Sequence, residues 1–192
     1  MNSRFRHQKE HAMQKLEKAM NEGAVDPGVL SLIDHVNSHA DYYTTSSCSG
    51  RITLFHDLGS KPESDWVGKW HRKVNKKEVA EAMKKIPGTG IIWFKYEPSI
   101  LHIVAKKIEG AKKIMVTARE SGYKRVGIQG VKKERFLVEI CDTERLDAPV
   151  AHRGQILVED TYLTYLIKHA NEKFKAGTEK LGRLEEELRH SL

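Results

Sequence analysis

The stretch YYTTSSCSGRITLFH, residues 42–56, places a run of small hydroxyl residues between two strand-forming segments. Tyr42–Thr45 and Arg51–His56 are rich in aromatic and β-branched residues, which favour strands. The run between them, Ser46–Gly50, is typical of a turn, because serine and glycine tolerate the backbone angles of tight bends. The stretch therefore predicts a strand, a turn and a second strand.

The same turn is a candidate ligand site. Backbone N–H groups of consecutive small residues can converge on an anion, and an arginine can clamp a carboxylate through two parallel hydrogen bonds. On this basis, the residues predicted to contact a cofactor or substrate are Ser46, Ser47, Ser49, Gly50 and Arg51. A serine-rich hairpin turn without a ligand explains the run equally well, and the residues alone leave both interpretations open.

Cys48 lies inside this turn and is a candidate catalytic thiol. The positive charge of Arg51 would favour its reactive thiolate form. A cysteine-based phosphatase loop is excluded, because it needs an arginine six residues after the cysteine and Leu54 stands there. No neighbouring histidine or aspartate in the sequence forms an evident relay, so a nucleophilic role is the less favoured hypothesis.

Outward from this stretch, apolar spacing predicts helices that alternate with short strands. Helices are predicted at Arg4–Met20, Pro27–His39, Lys76–Ile86, Leu101–Ala118 and from Asp160 onward, where Gly177 and Gly182 are expected to loosen the last turns. Further strands are predicted at Ile91–Phe94, Arg125–Gln129, Arg135–Cys141 and Gln155–Val158. Gly59–Trp70 is predicted to be irregular and Asp147–Pro149 to be a turn.

The order of helix, strand, turn and strand recurs in the two halves of the chain, which suggests a duplication even though the halves share negligible identity. We predict one α+β domain over residues 1–192, with an N-terminal helix in 1–25 and a helical extension in 176–192. Its strands are expected to form a single mixed sheet covered by the long helices.

Composition limits the classes of protein that fit. In 192 residues, 39% are hydrophobic and 31% charged, which argues against a disordered chain, and no stretch approaches the ~20 apolar residues of a membrane span. Two cysteines are too few for a disulfide framework, and the N-terminus lacks the apolar run of a secretory signal, so a cytoplasmic location is expected. The net charge of +7 favours a polyanionic partner, although a solubilising surface accounts for it equally well.

Metal and dinucleotide chemistry are not indicated. His35 and His39 are four apart on a predicted helix, but Val36 stands where a zincin has its glutamate. The segment His7–His11 matches the inverted motif without a third ligand in view. Neither cysteine belongs to a Cys-x-x-Cys pair, and no strand leads into a Gly-x-Gly-x-x-Gly turn. We therefore expect neither a metal nor a Rossmann-type site.

Basic residues beside tryptophans are the candidates for contact with RNA. Trp66 and Trp70 lie in the segment predicted to be irregular, where bases could stack on them next to cations. The predicted helix that begins at Leu101 adds a basic face. The five candidates for RNA contact are Lys69, Arg72, Lys73, Lys106 and Lys113.

Three blocks of sequence carry a resemblance to a known family. The first is TTSSCSGRI at 44–52, where the family reads Ser-x-Ser-Ser-Cys-x-Gly-Arg followed by Ile or Leu, so that Thr44 replaces a serine. The second is WFKYEPSILH at 93–102, and the third is ARESGY at 118–123. On these blocks, the chain resembles the tRNA wybutosine-synthesizing protein 3 family over most of its length, from about Leu30 to Phe174.

The resemblance implies two β₃α₂ repeats that share one barrel-like sheet. It also implies S-adenosylmethionine as methyl donor and tRNA(Phe) as substrate, methylated on N4 of a demethylwyosine-type base in the anticodon loop. Under this interpretation, His102 helps to remove the acceptor proton and Trp93 stacks on adenine or on the tricyclic base. Ser121 and Gly122, in the third block, are predicted to contact cofactor or substrate.

Two other classes of function remain open on the sequence alone. A non-catalytic RNA-binding module would bind tRNA in a salt-sensitive way and would not bind S-adenosylmethionine. A scaffold protein would use the long C-terminal helix for dimerisation, and the sequence does not indicate an oligomeric state.

Overall fold

The computed structural model describes residues 4–60 and 62–192, and the chain separates into two compact units. The first unit consists of the chain up to Ser49, Ser99–Thr143 and Thr178–Leu192, and the second of Gly50–Pro98 and Glu144–Gly177. The first boundary falls inside the serine-rich run, between Ser49 and Gly50. The prediction of a single domain stays a prediction.

Five α-helices and nine strands make up the described part of the chain. The helices are α1 (Arg4–Asn21), α2 (Leu30–Ser38), α3 (Lys76–Met83), α4 (Ile108–Glu120) and α5 (Asp160–Ser191). The strands are β1 (Tyr42–Cys48), β2 (Arg51–Asp57), β3 (Asp65–Trp70), β4 (Ile91–Glu97), β5 (Ile100–Ala105), β6 (Arg125–Lys132), β7 (Arg135–Cys141), β8 (Leu146–His152) and β9 (Gln155–Ile156). No helix in residues 4–60 and 62–192 combines the length and the apolar character of a membrane span.

The first unit is built on an antiparallel sheet in the order β1-β5-β7-β6. Side chains alternate between its two faces, as strand geometry requires. Leu101, Ile103 and Ala105 of β5 point to one face, where they pack in a buried cluster with residues of α2, α4 and the last part of α5. His102, between them in sequence, therefore lies on the other face.

The second unit is built on an antiparallel sheet in the order β3-β2-β4-β8-β9. Ile52 and Leu54 of β2 are paired with Tyr96 and Phe94 of β4, and all four are fully buried against α3 and the first part of α5. Helix α3 starts with a capping box, in which Asn75 and the third helical residue bond to each other's backbone N–H groups.

Helix α5 is continuous over 32 residues, so the expected loosening after Phe174 does not occur. Gly177 lies close to the hydroxyl of the fully buried Tyr96, and an added Cβ would collide with it. The glycine therefore permits close packing of the helix, and the hydrophobic spacing through Leu181, Leu184 and Leu188 maintains the helix beyond it.

The α+β class is confirmed, but the strands form two antiparallel sheets instead of a single mixed one. The reason is that β1 and β2, which are consecutive in sequence, enter different sheets. The helix predicted to begin at Leu101 was also wrong in its first part, because residues 100–105 form β5. Leu101 and Val104 are buried on opposite faces of the sheet. A strand that is buried on both faces can therefore have apolar residues three positions apart, which is also the spacing of a helix.

Three other local predictions were wrong. Residues 46–48, predicted to belong to a turn, form the last part of β1. Trp66 and Trp70 lie in β3, which pairs with β2, and not in an irregular loop. Asp147–Pro149 lies inside β8, although proline cannot donate to a strand ladder. Pro149 is tolerated because it sits beside a register shift between Ile92 and Trp93 of β4.

Candidate functional site

A row of polar side chains crosses the sheet of the first unit, with one residue on each strand. The residues are Ser46 on β1, His102 on β5, Glu139 on β7 and Gln129 on β6. Ser46 Oγ lies 2.7 Å from His102 Nδ1, and His102 Nε2 lies 2.9 Å from Glu139 Oε2. Gln129 Nε2 donates to Glu139 Oε1 over 3.0 Å. The imidazole thus has a hydrogen-bond partner on each of its nitrogens.

The chemistry of these partners fixes the direction of the hydrogen bonds. An ionised Glu139 only accepts, so Nε2 of His102 carries a proton and donates it. In a neutral imidazole, Nδ1 is then the acceptor for the hydroxyl of Ser46. The side chains of His102 and Glu139 are 22% and 24% exposed, and Ser46 is exposed. We name Ser46, His102 and Glu139 the relay, because a proton delivered to Ser46 can pass to the imidazole.

A β-bulge in β1 aims Ser46 at the histidine. Thr44 is paired with Ile103 and Ser47 with Leu101, so that Thr45 and Ser46 together oppose the single residue His102. A bulge of this kind places one extra residue in a strand and redirects its side chains, and bulges are frequent next to functional sites.

A buried carboxylate holds the end of β1. Both the backbone N–H and the hydroxyl of Ser49 donate to Asp26 Oδ2 over 2.6 Å, and the N–H of Gly28 donates to Asp26 Oδ1 over 3.0 Å. The serine-rich turn was predicted to gather N–H donors around an anion. At Ser49 the anion is the protein's own Asp26, which is 7% exposed.

Cys48 and Ser47 lie on the same strand as Ser46. Cys48 is half-buried, forms no disulfide and pairs with Ile100 in the ladder. Its catalytic role stays a prediction, since the hydroxyl of Ser46, and not this thiol, contacts His102. Ser47 Oγ is buried and has no hydrogen-bond partner among the described residues.

The second unit presents a different polar surface. Alternate residues of β2, β4 and β8 point away from the buried cluster that contains Phe94. We call these residues the polar face: Arg51, Thr53, Phe55, Trp93, Lys95, Glu97 and Asp147. Arg51 Nε lies 2.5 Å from Glu97 Oε2, and Lys95 Nζ lies 3.1 Å from Asp147 Oδ1. Thr53 Oγ1 is buried without a hydrogen-bond partner among the described residues.

Aromatic rings and cations alternate at the β3 end of this face. The guanidinium carbon of Arg51 lies 5.0 Å from the centroid of Trp66, and Lys69 Nζ lies 4.9 Å from the same centroid. Lys95 Nζ lies 5.4 Å from the ring of Phe55. Trp66 is 42% exposed, so its edge and its paired cations are accessible to solvent.

The third block of the resemblance is placed at a helix end. Ser121 is buried, and its hydroxyl donates to Thr117 O over 2.8 Å inside α4. Gly122 has a φ of 96°, a conformation that glycine provides at helix C-termini. These contacts give both residues a role in ending α4, and their contact with cofactor or substrate stays a prediction.

The residues predicted to contact RNA are divided between the units. Lys69, Arg72 and Lys73 belong to the second unit, where Arg72 Nη2 lies 2.6 Å from Glu78 Oε1. Lys106 and Lys113 belong to the first unit, where Lys106 Nζ lies 3.6 Å from Asp41 Oδ1. Their role in RNA binding stays a prediction.

Lys113 contributes to a basic patch in the first unit. Burial is the main cause that lowers the pKa of His39, and the positive charges of His35, Lys9 and Lys113 lower it further. Lys9 Nζ also donates to the carbonyls of Asn37 and His39, over 2.7 and 2.5 Å. His39 is therefore held in its neutral form more strongly than an ordinary histidine.

Sequence reasoning missed Glu139, Gln129 and Asp26. One signal for Glu139 was available, because Phe136, Val138 and Ile140 alternate and leave the acid on the opposite face of β7. Its pairing with His102 requires the register of two strands far apart in sequence. Asp26 precedes Pro27 and Gly28, a typical start of a helical turn, but its bond to Ser49 is a tertiary contact.

The chain matches a described protein family and several named proteins. Residues 7–190 match the family described as Methyltransferase TYW3. A protein of Thermococcus sibiricus named tRNA(Phe) 7-((3-amino-3-carboxypropyl)-4-demethylwyosine(37)-N(4))-methyltransferase is 39% identical over 94% of this chain and 92% of its own length. A protein of the same name from Archaeoglobus fulgidus is 41% identical over 89% of this chain and 86% of its own.

Solved structures agree with the sequence relatives. The PH1069 protein from Pyrococcus horikoshii has a TM-score of 0.91 at 37% identity, covering 98% of this chain and 95% of that one. A hypothetical protein from Aeropyrum pernix has a TM-score of 0.75 at 26% identity, covering 87% of this chain and 99% of that one. The match extends through both units and includes the relay and the polar face, and the chain belongs to the Methyltransferase TYW3 family.

Proposed function

We propose that this chain is a cytoplasmic tRNA methyltransferase that uses S-adenosylmethionine. Its reaction is methylation of N4 of 7-(3-amino-3-carboxypropyl)-4-demethylwyosine at position 37 of tRNA(Phe), the reaction named for its relatives. The observation that carries the proposal is the 39% identity to such a relative over 94% of the chain. Within the first unit the relay offers a proton acceptor, and within the second the polar face offers groups that can bind a methyl donor.

The acceptor nitrogen must lose a proton when it gains a methyl group. In the proposed step, the carbon–sulfur bond of the methyl donor would break as the new N–C bond forms, leaving a neutral thioether. The N–H bond of the base breaks, and its proton passes to Ser46 Oγ. The hydroxyl proton of Ser46 passes at the same time to Nδ1 of His102, which becomes an imidazolium. Glu139 faces the other nitrogen at 2.9 Å, and its negative charge stabilises that imidazolium.

The polar face fits the methyl donor, which carries an adenine ring, a carboxylate, an amine and a sulfonium. When bound, the donor supplies a methyl group on positively charged sulfur. Trp93 and Phe55 offer rings for adenine, Arg51 a guanidinium for the carboxylate, and the unpartnered hydroxyl of Thr53 an additional hydrogen bond.

The charges of this face also suit methyl transfer. The positive charge on sulfur disappears during the step, so an unpaired carboxylate held against it would stabilise the ground state more than the transition state. Both carboxylates of the polar face are paired, Glu97 with Arg51 and Asp147 with Lys95. The face can therefore recognise the carboxylate and the amine of the donor without a strong net negative field at the sulfur.

An RNA substrate agrees with the charge of the chain. The net charge of +7 favours binding to phosphates, with an affinity that falls as salt rises. A base in the anticodon loop is already unpaired, so little duplex has to open before it enters a pocket.

The test is a reconstituted methylation reaction. Purified protein, S-adenosylmethionine with a labelled methyl group, and tRNA(Phe) from cells that lack this methyltransferase are incubated, and nucleosides are analysed by mass spectrometry. We expect a mass gain of one labelled methyl on the demethylwyosine nucleoside. Salt-sensitive binding of tRNA(Phe) with neither donor binding nor methyl transfer would support the RNA-binding module instead and overturn the proposal.

A further inference from the structure

A cavity of about 660 Å³ lies between α1 and β1 within the first unit, and we name it the α1–β1 cavity. Five basic residues are among those that line it: Arg4, His11, Lys15, Lys132 and Arg135. No aspartate or glutamate lines it within the described part of the chain. Such a distribution attracts an anion and repels a cation.

The inner wall of the cavity is apolar. Its apolar lining comprises Ala12 and Leu16 of α1, Val25, Ile33 and the buried Tyr43 of β1, among others. An apolar wall below a polar rim is the usual form of a site for a planar ring, because burial of the ring stabilises binding while the rim orients it.

Two buried polar atoms belong to residues of this lining. Gln8 Oε1 and Ser47 Oγ are buried, and neither has a hydrogen-bond partner in the described part of the chain. Buried polar atoms are nearly always satisfied, so an unpaired one indicates a water or a ligand that supplies the missing bond. Amine and ring N–H groups of a nucleobase are suitable donors to both oxygens.

The cavity also reaches the relay. Ser46 is part of its lining, and the same side chain bonds to His102 Nδ1 over 2.7 Å. A ring that occupied the cavity would therefore lie beside the hydroxyl through which a proton can pass to the imidazole.

We propose that the α1–β1 cavity binds the acceptor nucleotide of the RNA substrate, with its base against the apolar wall and its phosphates at the basic rim. This inference rests on the proposed function and names the site of its second substrate. The volume lies within the range of 300–1,000 Å³ typical of small-molecule sites. The methyl donor fits less well, because its amine and sulfonium outweigh its single carboxylate and leave it a net cation among five basic residues.

The first test removes charge from the rim. In the double variant Lys15→Ala/Lys132→Ala, both residues are exposed, so folding should be unaffected. Binding of tRNA(Phe) that carries the demethyl base is measured by fluorescence anisotropy as a function of salt. We expect at least tenfold weaker binding at 0.1 M salt and a log–log salt dependence shallower by about 1.4, since each contact with a single-stranded phosphate contributes about 0.7.

A matched control separates the cavity from general charge. The double variant Lys18→Ala/Lys133→Ala removes two exposed lysines from α1 and from the turn after β6, both outside the lining. It should bind within about twofold of the wild-type protein. Equal losses in the two double variants would overturn the proposal, because the rim would then be no more than part of a diffuse basic surface.

The second test fills the cavity without changing charge. Ala12→Phe should abolish the preference for tRNA(Phe) with the demethyl base over a transcript with guanosine at that position. Affinity for S-adenosylmethionine, measured by calorimetry, should stay unchanged and shows that the variant is folded. Loss of donor binding with retained tRNA preference would identify the cavity as the donor site and overturn the proposal. Absence of methyl transfer by the wild-type protein would contradict the proposed function alone, because these tests measure binding.

Discussion

The two units carry polar surfaces of opposite character on sheets of similar construction. The first unit surrounds the α1–β1 cavity with cations and places the relay beside it, whereas the polar face of the second unit pairs each carboxylate with a cation. A field of one sign suits a polyanion, and a balanced face suits a ligand that carries charges of both signs. Charge pattern, more than strand order, therefore distinguishes the ligand that each unit is suited to bind.

Removal of the imidazole should have the largest effect. We expect His102→Ala to reduce the single-turnover rate of methyl transfer at least a hundredfold, since general-base catalysis contributes ~10²–10⁴-fold. Donor affinity should not change, because the donor residues lie in the second unit. The rate is measured in quenched single-turnover reactions as the transfer of labelled methyl groups to tRNA, and the affinity for the donor is measured by calorimetry. An unchanged rate at every pH would remove the relay from the mechanism.

Arg51→Ala tests whether the polar face of the second unit binds the methyl donor. Loss of the guanidinium should weaken donor binding at least tenfold, which corresponds to ~1.4 kcal/mol, and leave tRNA binding unchanged. Calorimetry with S-adenosylmethionine measures the first quantity and anisotropy with tRNA(Phe) the second. Lys84→Ala, which removes an exposed cation of the second unit outside the polar face, is the matched control. Weaker tRNA binding with normal donor binding would reverse the assignment of the two units.

Glu139→Gln tests whether the relay needs a negative charge, because glutamine keeps a hydrogen-bond acceptor for His102 and removes that charge. We expect a rate about tenfold lower at neutral pH, consistent with a charge-assisted hydrogen bond about twice as strong as a neutral one. A rate equal to that of the wild-type protein would show that the charge of Glu139 does not contribute to the relay.

Gly28→Ala tests how strongly the first unit depends on the anchor of β1. An added Cβ would lie 2.7 Å from Ser49 Oγ and 2.8 Å from Ser49 Cβ, and Ser49 is buried and bonded to Asp26. Overpacking of this kind costs about 1–3 kcal/mol. Chemical denaturation gives the free energy of unfolding. Gly127→Ala, at a glycine of the first unit with no atom within 4 Å of the added Cβ and no positive φ, is the control.

Because of His39, we expect the first unit to lose a small part of its stability in acid. Burial and nearby cations lower its pKa in the folded protein below its ordinary value. The unfolded chain therefore takes up the proton at a higher pH, and the free energy of unfolding should fall as the pH drops below ~6.5. His39→Gln should flatten this dependence between about pH 7 and pH 5 in thermal unfolding experiments. An unchanged slope would show that His39 does not contribute.

The sequence predicted local structure more reliably than pairing. Strands β1 and β2 and the α+β class follow from residue patterns that act over a few positions. The division into two sheets does not, because the choice of partner for β1 depends on β5, about sixty residues away. Likewise, the strand character of residues 100–105 depends on β1 and β7 at its two edges, which local spacing does not reveal.

The candidate site shows the same limit. His102 and Ser46 were singled out by motif, but their contact requires the bulge in β1, and Glu139 required the register of β5 with β7. The basic rim of the α1–β1 cavity was also missed, since its residues come from α1 and from the β6–β7 hairpin. Residues that come together only in the folded protein cannot be recognised as one site from their residue types alone.

The bulge at Thr45 and Ser46 has a consequence for the evolution of the chain. Because it adds one residue to β1 opposite His102, the count of residues from Thr44 to Ser49 determines which side chains reach the imidazole and Asp26. A gain or loss of one residue would turn every later side chain of the strand to the opposite face. An alignment of relatives should therefore tolerate exchanges at Thr45 but contain no gap in this segment.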